Sequence, residues 1–136
     1  MSGQLNKVSI ERYSRQIVLK DIGIVGQKKI SNAKVLVVGA GGLGSPVAEF
    51  LSRAGIGSLG IIDNDKVALS NLHRQSLYNT SDIKKFKVHA AKEKVKKINP
   101  GIKVKTYRFR LNEKNFKKVI SDYDYIVDGS DNFSTK

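Results

Sequence analysis

The 136-residue chain carries a formal net charge of +13 and contains no cysteine, and 40% of its residues are hydrophobic. That hydrophobic share is typical of a folded domain with a core, so an entirely disordered chain is excluded. Without cysteine the chain holds no disulfide, no thiolate zinc site and no cysteine nucleophile. Because the sequence has no apolar run of about 18 residues and no secretory signal at its polar N-terminus, we expect a cytoplasmic protein without a membrane span.

The strong positive charge is compatible with a nucleic-acid partner, because lysine and arginine neutralise phosphates. Most of the basic residues, however, are lysines spread over the second half of the chain, and few aromatic side chains lie among them. Proteins that bind single strands use such aromatic residues to stack on bases. We therefore expect a solvated, lysine-rich surface, and a basic nucleic-acid-binding module stays open as a weaker alternative.

The N-terminal segment, residues 1–33, is predicted to be helical. Residues 9–20, SIERYSRQIVLK, indicate a short amphipathic helix with Ser9 as its cap and Tyr13 on its apolar face. A second, weaker helix is predicted between Gly23 and Ala33.

Residues 34–136 begin with a complete strand–helix–strand unit. Val35–Val38 is a continuous apolar run, as expected of a parallel strand that is buried on both faces. A helix from about Leu43 to Ala54 is predicted to stop at Gly55, because glycine commonly ends helices. The second strand is predicted at Leu59–Ile62.

The rest of the chain continues the alternation of helices and strands. The predicted elements are a helix from Ile83 to Ile98, a strand at 102–109, a helix at 112–121 and a strand that runs into a loop at 123–132. This alternation predicts an open parallel sheet with flanking helices, a Rossmann-like α/β fold over residues 34–136. Four strands are fewer than the roughly six of two mononucleotide-binding halves, so we expect the N-terminal part of a longer domain.

The turn between the first strand and its helix, GAGGLG at 39–44, is predicted to bind phosphate. Gly39, Gly41 and Gly44 match the pattern G-x-G-x-x-G, and Gly42 is an additional glycine. Glycines let the backbone turn sharply and approach a phosphate, which the N-terminus of the following helix attracts. Asp63 ends the second strand, about where an acid accepts ribose hydroxyls. These features alone are equally typical of an NAD(P)-dependent oxidoreductase.

Polar side chains beyond the second strand favour a triphosphate ligand instead. Asn71, Arg74 and Gln75 come from one turn, and Lys87 lies near the start of the next helix. A triphosphate carries more charge than a pyrophosphate bridge and normally needs cationic side chains and a divalent ion. Arginine is well suited to phosphate because its guanidinium makes two parallel hydrogen bonds.

The end of the fourth strand supplies carboxylates opposite the phosphate turn. Asp128, Asp131 and Asn132 lie in the stretch VDGSDN. Ligands of open α/β sheets bind at the carboxyl ends of the strands, and carboxylates there are suitable ligands for Mg²⁺.

Five motifs in this order resemble the ThiF/MoeB/HesA family of bacterial adenylyltransferases, which are related to the ubiquitin-activating enzymes. They are ERYSRQI near the start, VLVVGAGGLGS, DNDKVALSNLHRQ, Lys87 and DGSDN, and together they extend from about Glu11 to the end of the chain. The resemblance implies an enzyme that uses ATP and Mg²⁺ to join AMP to the C-terminal Gly-Gly carboxylate of a ubiquitin-like sulfur-carrier protein, with release of pyrophosphate. The carrier would serve the molybdopterin or the thiamine pathway.

The resemblance also implies roles for individual residues. Asp131 would bind Mg²⁺, and Arg15 would reach into the phosphate site of a second subunit, so we expect a homodimer. Family members are longer and often carry paired CxxC zinc ligands, so zinc is an expectation only for a longer protein. The predicted catalytic residues are Arg15, Arg74, Lys87 and Asp131. The predicted nucleotide contacts are Gly39, Gly41, Gly42, Gly44, Asp63, Ser70, Asn71, Arg74, Gln75, Lys87, Asp131 and Asn132.

Overall fold

The computed structural model describes residues 5–130, which form one four-stranded parallel sheet with helices on both faces. The strands lie in the order β3-β2-β1-β4, so the chain crosses from one edge of the sheet to the other after β3. The Rossmann-like fold that the sequence predicts is therefore confirmed. The helices are α1 Lys7–Arg12, α2 Ser14–Ile17, α3 Gly23–Asn32, α4 Gly44–Ala54, α5 Lys87–Ile98 and α6 Phe116–Ile120, and the strands are β1 Lys34–Val38, β2 Ser58–Ile62, β3 Lys103–Tyr107 and β4 Tyr125–Asp128.

Strand β1 is the centre of the core because it is buried on both faces. Val35 and Val37 pack into the larger apolar cluster, which includes residues of α4 and α5, whereas Leu36 and Val38 pack into a smaller cluster that includes Val119 of α6. Burial of each such side chain stabilises the fold by roughly 1.5–3 kcal/mol. Within residues 5–130, no helix combines the length and the hydrophobicity that crossing a membrane requires.

The predicted helix at residues 9–20 is wrong in its extent and in its cap. Two short helices, α1 and α2, occupy this region, and the cap of α1 is Asn6, whose side chain accepts a hydrogen bond from the Ser9 N–H at 2.9 Å. The helical path breaks at Tyr13, which is buried against the backbone of Gly55. Gly55 has a φ of 90°, and a Cβ there would collide with the Tyr13 ring, so glycine is needed both for the turn and for this contact.

Two later helices are shorter than predicted. Helix α5 begins at Lys87 rather than at Ile83, because residues 83–85 form a turn, with Lys84 at a φ of 75°, that backbone hydrogen bonds between Val67 and residues 84 and 85 hold in place. Helix α6 covers 116–120 rather than 112–121, since the side chains of Asn112 and Asn115 bond to nearby backbone groups in the preceding turn.

A buried asparagine ties the N-terminal segment to the sheet domain. The Asn99 side-chain amide donates to the Tyr13 hydroxyl at 2.7 Å and to the Ser52 carbonyl at 3.0 Å, and only 3% of Asn99 is exposed. We expect Asn99→Ala to lower the free energy of unfolding by about 1–3 kcal/mol, because buried partners are left unsatisfied. Urea denaturation measures this loss. In the control Asn32→Ala, which changes an exposed residue, the free energy of unfolding should stay within about 0.5 kcal/mol of wild type. An equal loss in both variants would contradict a stabilising role of the Asn99 hydrogen bonds.

Candidate functional site

The carboxyl ends of all four strands open onto one cavity of about 430 Å³. Val38 ends β1 and Ile62 ends β2 at the cavity wall, and the loops after β3 and β4 complete it with residues 109–111 and 129–130. This is the position at which open α/β sheets bind ligands. The size is sufficient for a nucleotide-sized molecule.

The glycine turn forms the floor of this cavity through close backbone contacts. Gly39 has a φ of 88°, and a Cβ on it would lie 2.9 Å from the Ser130 nitrogen. A Cβ on Gly44 would overlap the Gly39 carbonyl oxygen, and one on Gly129 would lie 2.9 Å from the Gly44 nitrogen. Three glycines thus pack backbone against backbone, which joins the turn to the loop after β4.

The other two glycines of the turn, Gly41 and Gly42, face the cavity itself. A Cβ on Gly41 would have the Gln75 side chain 3.5 Å away, and a Cβ on Gly42 would have the Arg74 side chain 3.7 Å away. Helix α4 begins at Gly44, two residues after Gly42, so the positive end of its dipole lies at this turn. This arrangement suits an anion.

Asp63 lies in the cavity wall, but its carboxylate also holds the local backbone. One oxygen accepts the Ala40 N–H at 2.8 Å, and the other accepts the Asp65 N–H at 2.8 Å. The sequence predicts only a ribose contact for this residue. The geometry adds a structural role, because Asp63 connects the end of β2 to the glycine turn.

Two cationic side chains border the glycine turn. Arg74 lies beside Gly42, and its guanidinium donates to the Ser70 carbonyl at 3.1 Å. Lys87 is only 7% exposed at the start of α5, where its N–H donates to the Asp65 carbonyl at 2.9 Å. Neither cation forms an ion pair with a carboxylate of residues 5–130. Both residues line the cavity, so their positive charge makes it suited to a polyanionic ligand.

Gln75 and Asn71 complete this wall. Gln75 is 3% exposed, and its side-chain oxygen has no hydrogen-bond partner within the described part of the chain. Such an orphaned buried acceptor is unusual, and a ligand hydroxyl or an ordered water would satisfy it. Asn71 accepts the Ala68 N–H at 2.9 Å through its side chain, which fixes the turn that carries Arg74.

Several predicted site residues lie elsewhere. Arg15 is exposed on α2 and does not line the cavity, and Gly44 lies behind the turn rather than at its surface. Ser70 also lies outside the lining and contributes its carbonyl to Arg74. Asp131 and Asn132 lie outside the described residues. Within residues 5–130, no three His, Cys, Asp or Glu side chains are grouped so that they could share a metal ion.

Some residues of the site are missed by the sequence reasoning. Phe109, Arg110 and Leu111 line the cavity from the loop after β3, and the rule that ligands bind at the carboxyl ends of strands could have found them.

Tyr78 and Ser45 lie beneath the glycine turn, where both hydroxyls donate to the Ala40 carbonyl. Burial, with the nearby Asp63 charge, raises the pKa of the Tyr78 phenol far above its ordinary value. No spacing in the sequence points to that contact.

The sheet order, the glycine turn and the polar cavity define a Rossmann-like domain of the kind that binds nucleotides. The sequence profile described as "ThiF family" matches residues 13–136. The chain therefore belongs to the ThiF family, as its motifs predict.

Relatives with assigned names share more than two fifths of the sequence. A sulfur carrier protein adenylyltransferase of Thermus thermophilus is 43% identical over 96% of this chain and 48% of its own length. A probable adenylyltransferase/sulfurtransferase, MoeZ, of Mycobacterium tuberculosis is 42% identical over 97% of this chain and 34% of its own length. This chain thus spans between a third and a half of those relatives.

A solved structure shows the same fold with a nucleotide bound. The E. coli tRNA N6-threonylcarbamoyladenosine dehydratase, TcdA, in complex with ATP superposes with a TM-score of 0.86 and 26% identity. The superposition covers 95% of this chain and 53% of TcdA.

Proposed function

We propose that this chain provides the ATP-binding part of an adenylyltransferase that activates the C-terminal carboxylate of a ubiquitin-like sulfur-carrier protein. The observation that carries the proposal is the pair of cations, Arg74 and Lys87, placed beside a glycine turn in one cavity. Family membership and the names of the relatives support the same activity. An NAD(P)-dependent oxidoreductase needs the glycine turn and Asp63 but gives neither cation a role.

The residues of the cavity fit the parts of ATP. Gly41 and Gly42 face the cavity without side chains, so the backbone itself would approach the phosphates. Asp63 would accept ribose hydroxyls on the lone pairs that its two backbone contacts leave free. The orphaned oxygen of Gln75 would gain a donor from the nucleotide or its water shell.

The proposed reaction needs charge neutralisation rather than a protein nucleophile. A carboxylate oxygen of the carrier would attack the α-phosphorus, a new P–O bond would form, and the bond to the pyrophosphate group would break, giving acyl-AMP and pyrophosphate. Arg74 and Lys87 would lower the repulsion between the two anions and stabilise the leaving pyrophosphate. A Mg²⁺ ion would add to that neutralisation, and its proposed ligand is Asp131.

The proposal also includes a second subunit. Arg15 is exposed and does not line the cavity of its own chain, so we propose that its contact with phosphate is made to another copy. The proposed function therefore includes a homodimer, in which Arg15 of one subunit contacts the phosphate site of the other. The sulfur carrier would be the protein partner, and its pathway is molybdopterin or thiamine synthesis.

Thermal unfolding with nucleotides tests the proposal. A ligand at 100 times its dissociation constant stabilises a protein by about 2.7 kcal/mol, so saturating MgATP should raise the melting temperature by several degrees. NADH at the same concentration should leave it nearly unchanged. Adenosine should protect less than ATP, because it offers nothing to Arg74 or Lys87.

Protection by NADH without protection by MgATP would overturn the proposal in favour of an oxidoreductase. Duplex or single-stranded DNA is a further control, since a nucleic-acid-binding module would bind it with a strong salt dependence. That binding would persist in Arg74→Ala because many lysines would share the contact.

A further inference from the structure

We propose that Tyr78 is a positioning residue for the phosphates. Its hydroxyl fixes the carbonyl of Ala40, and the peptide that follows consequently presents the Gly41 N–H to the cavity. The inference rests on the proposed function, because the anion that this N–H would meet is a phosphate of ATP.

The Ala40 backbone is held on both sides. Its carbonyl accepts the Tyr78 hydroxyl at 2.6 Å and the Ser45 hydroxyl at 3.0 Å, and its N–H donates to Asp63 at 2.8 Å. Ala40 is fully buried, as is Ser45, and Tyr78 is only 6% exposed. These contacts leave Ala40 little freedom to rotate.

The orientation of the Ala40 carbonyl determines that of the next N–H. In a planar trans peptide the C=O and N–H bonds point in opposite directions, and no peptide in the described chain is cis. The carbonyl of Ala40 points to Tyr78 beneath the turn, so the N–H of Gly41 must point away from Tyr78. Gly41 lines the cavity, and within residues 5–130 its N–H donates to no backbone or side-chain acceptor.

A glycine-rich turn has particular need of such a restraint. Gly41 and Gly42 follow each other without side chains to limit their rotation, so the free turn would sample several peptide orientations. A hydrogen bond that selects one orientation before the ligand arrives reduces the cost of ordering it on binding. Tyr78 is suited to this because its phenol O–H is a hydrogen-bond donor, and burial raises its pKa further above its ordinary value.

Tyr78 also belongs to the larger apolar cluster, so its ring has a packing role. Substitution by phenylalanine keeps that ring and removes only the hydroxyl. The matched control is Tyr107→Phe, which removes a hydroxyl that lies 2.9 Å from that of Tyr123. Tyr107 packs against the smaller cluster and does not line the cavity.

The experiment compares both variants with wild type by calorimetric titration with MgATP and with adenosine, and by the amide NMR spectrum of the unliganded chain. We expect Tyr78→Phe to weaken ATP binding about five- to tenfold, as for one lost hydrogen bond, and adenosine binding less than about twofold. The Gly41 amide resonance should shift in Tyr78→Phe and stay in place in Tyr107→Phe.

Equal weakening of ATP and adenosine in Tyr78→Phe would overturn the inference, since that result is typical of a general structural defect. An unchanged Gly41 resonance would overturn it as well. If wild type fails to bind ATP, the proposed function is wrong. The Gly41 resonance still shows whether Tyr78 determines the orientation of the peptide between Ala40 and Gly41. The two proposals therefore fail separately.

Discussion

Replacement of Arg74 by alanine should weaken MgATP binding by about 10- to 100-fold. The estimate follows from a charge-assisted contact between guanidinium and phosphate, which contributes about 1.5–3 kcal/mol when both groups are held in place. Arg74 is held by its hydrogen bond to the Ser70 carbonyl and lies beside Gly42. Isothermal titration with MgATP measures the loss, and adenosine affinity should change little because adenosine has no phosphate.

The free energy of unfolding should stay within about 0.5 kcal/mol of wild type in Arg74→Ala, because the side chain is exposed. Arg53→Ala is the matched control. It removes the same charge from the surface of α4, where Arg53 pairs with Glu49 at 3.2 Å and lies outside the cavity. A similar loss of ATP affinity in both variants would show that net charge, rather than the position of Arg74, attracts the nucleotide.

The sequence predicts the centre of this fold better than its periphery. Val35–Val38 and the glycine turn specify a buried strand and its phosphate loop through local pattern alone, and both lie where expected. Tyr13 interrupts the first predicted helix because its ring packs against Gly55, a contact between residues far apart in the chain. Helix α5 starts late for a similar reason, since backbone hydrogen bonds to Val67 hold residues 84 and 85 in a turn. Helical periodicity carries no information on such tertiary contacts.

In the candidate site, too, the features that depend on local sequence are predicted and those that depend on tertiary contacts are not. Arg74 and Lys87 are predicted from residue type and from their position after a strand, and the fold brings both to the cavity. The sequence does not indicate the second role of Asp63, as acceptor of the Ala40 N–H, because an acid at a strand end is equally compatible with a ligand contact alone. Tyr78 reaches Ala40 across 38 residues of sequence, so only the folded chain reveals the bond.

Replacement of Gly44 by alanine should disrupt the site and the fold together. A Cβ at Gly44 would overlap the Gly39 carbonyl oxygen and would lie 2.8 Å from the Gly39 carbonyl carbon and 3.3 Å from Val37. The first two of these atoms are backbone, so relief requires the turn itself to move. We expect the free energy of unfolding to fall by about 3 kcal/mol or more, at the upper end of overpacking effects, as measured by urea denaturation.

Gly41→Ala tests whether glycine is required at this position for ligand binding rather than for folding. Among residues 5–130, a Cβ at Gly41 would come close only to the Gln75 side chain, at 3.5 Å, so stability should change by less than about 1 kcal/mol. The new methyl group would nevertheless enter the cavity, where the backbone is proposed to approach a phosphate, and MgATP affinity should fall about tenfold or more.

A stable Gly44→Ala protein would contradict the packing of the turn. Unchanged ATP affinity in Gly41→Ala would instead contradict the placement of the phosphates, because a ligand that tolerates this methyl group does not contact the turn.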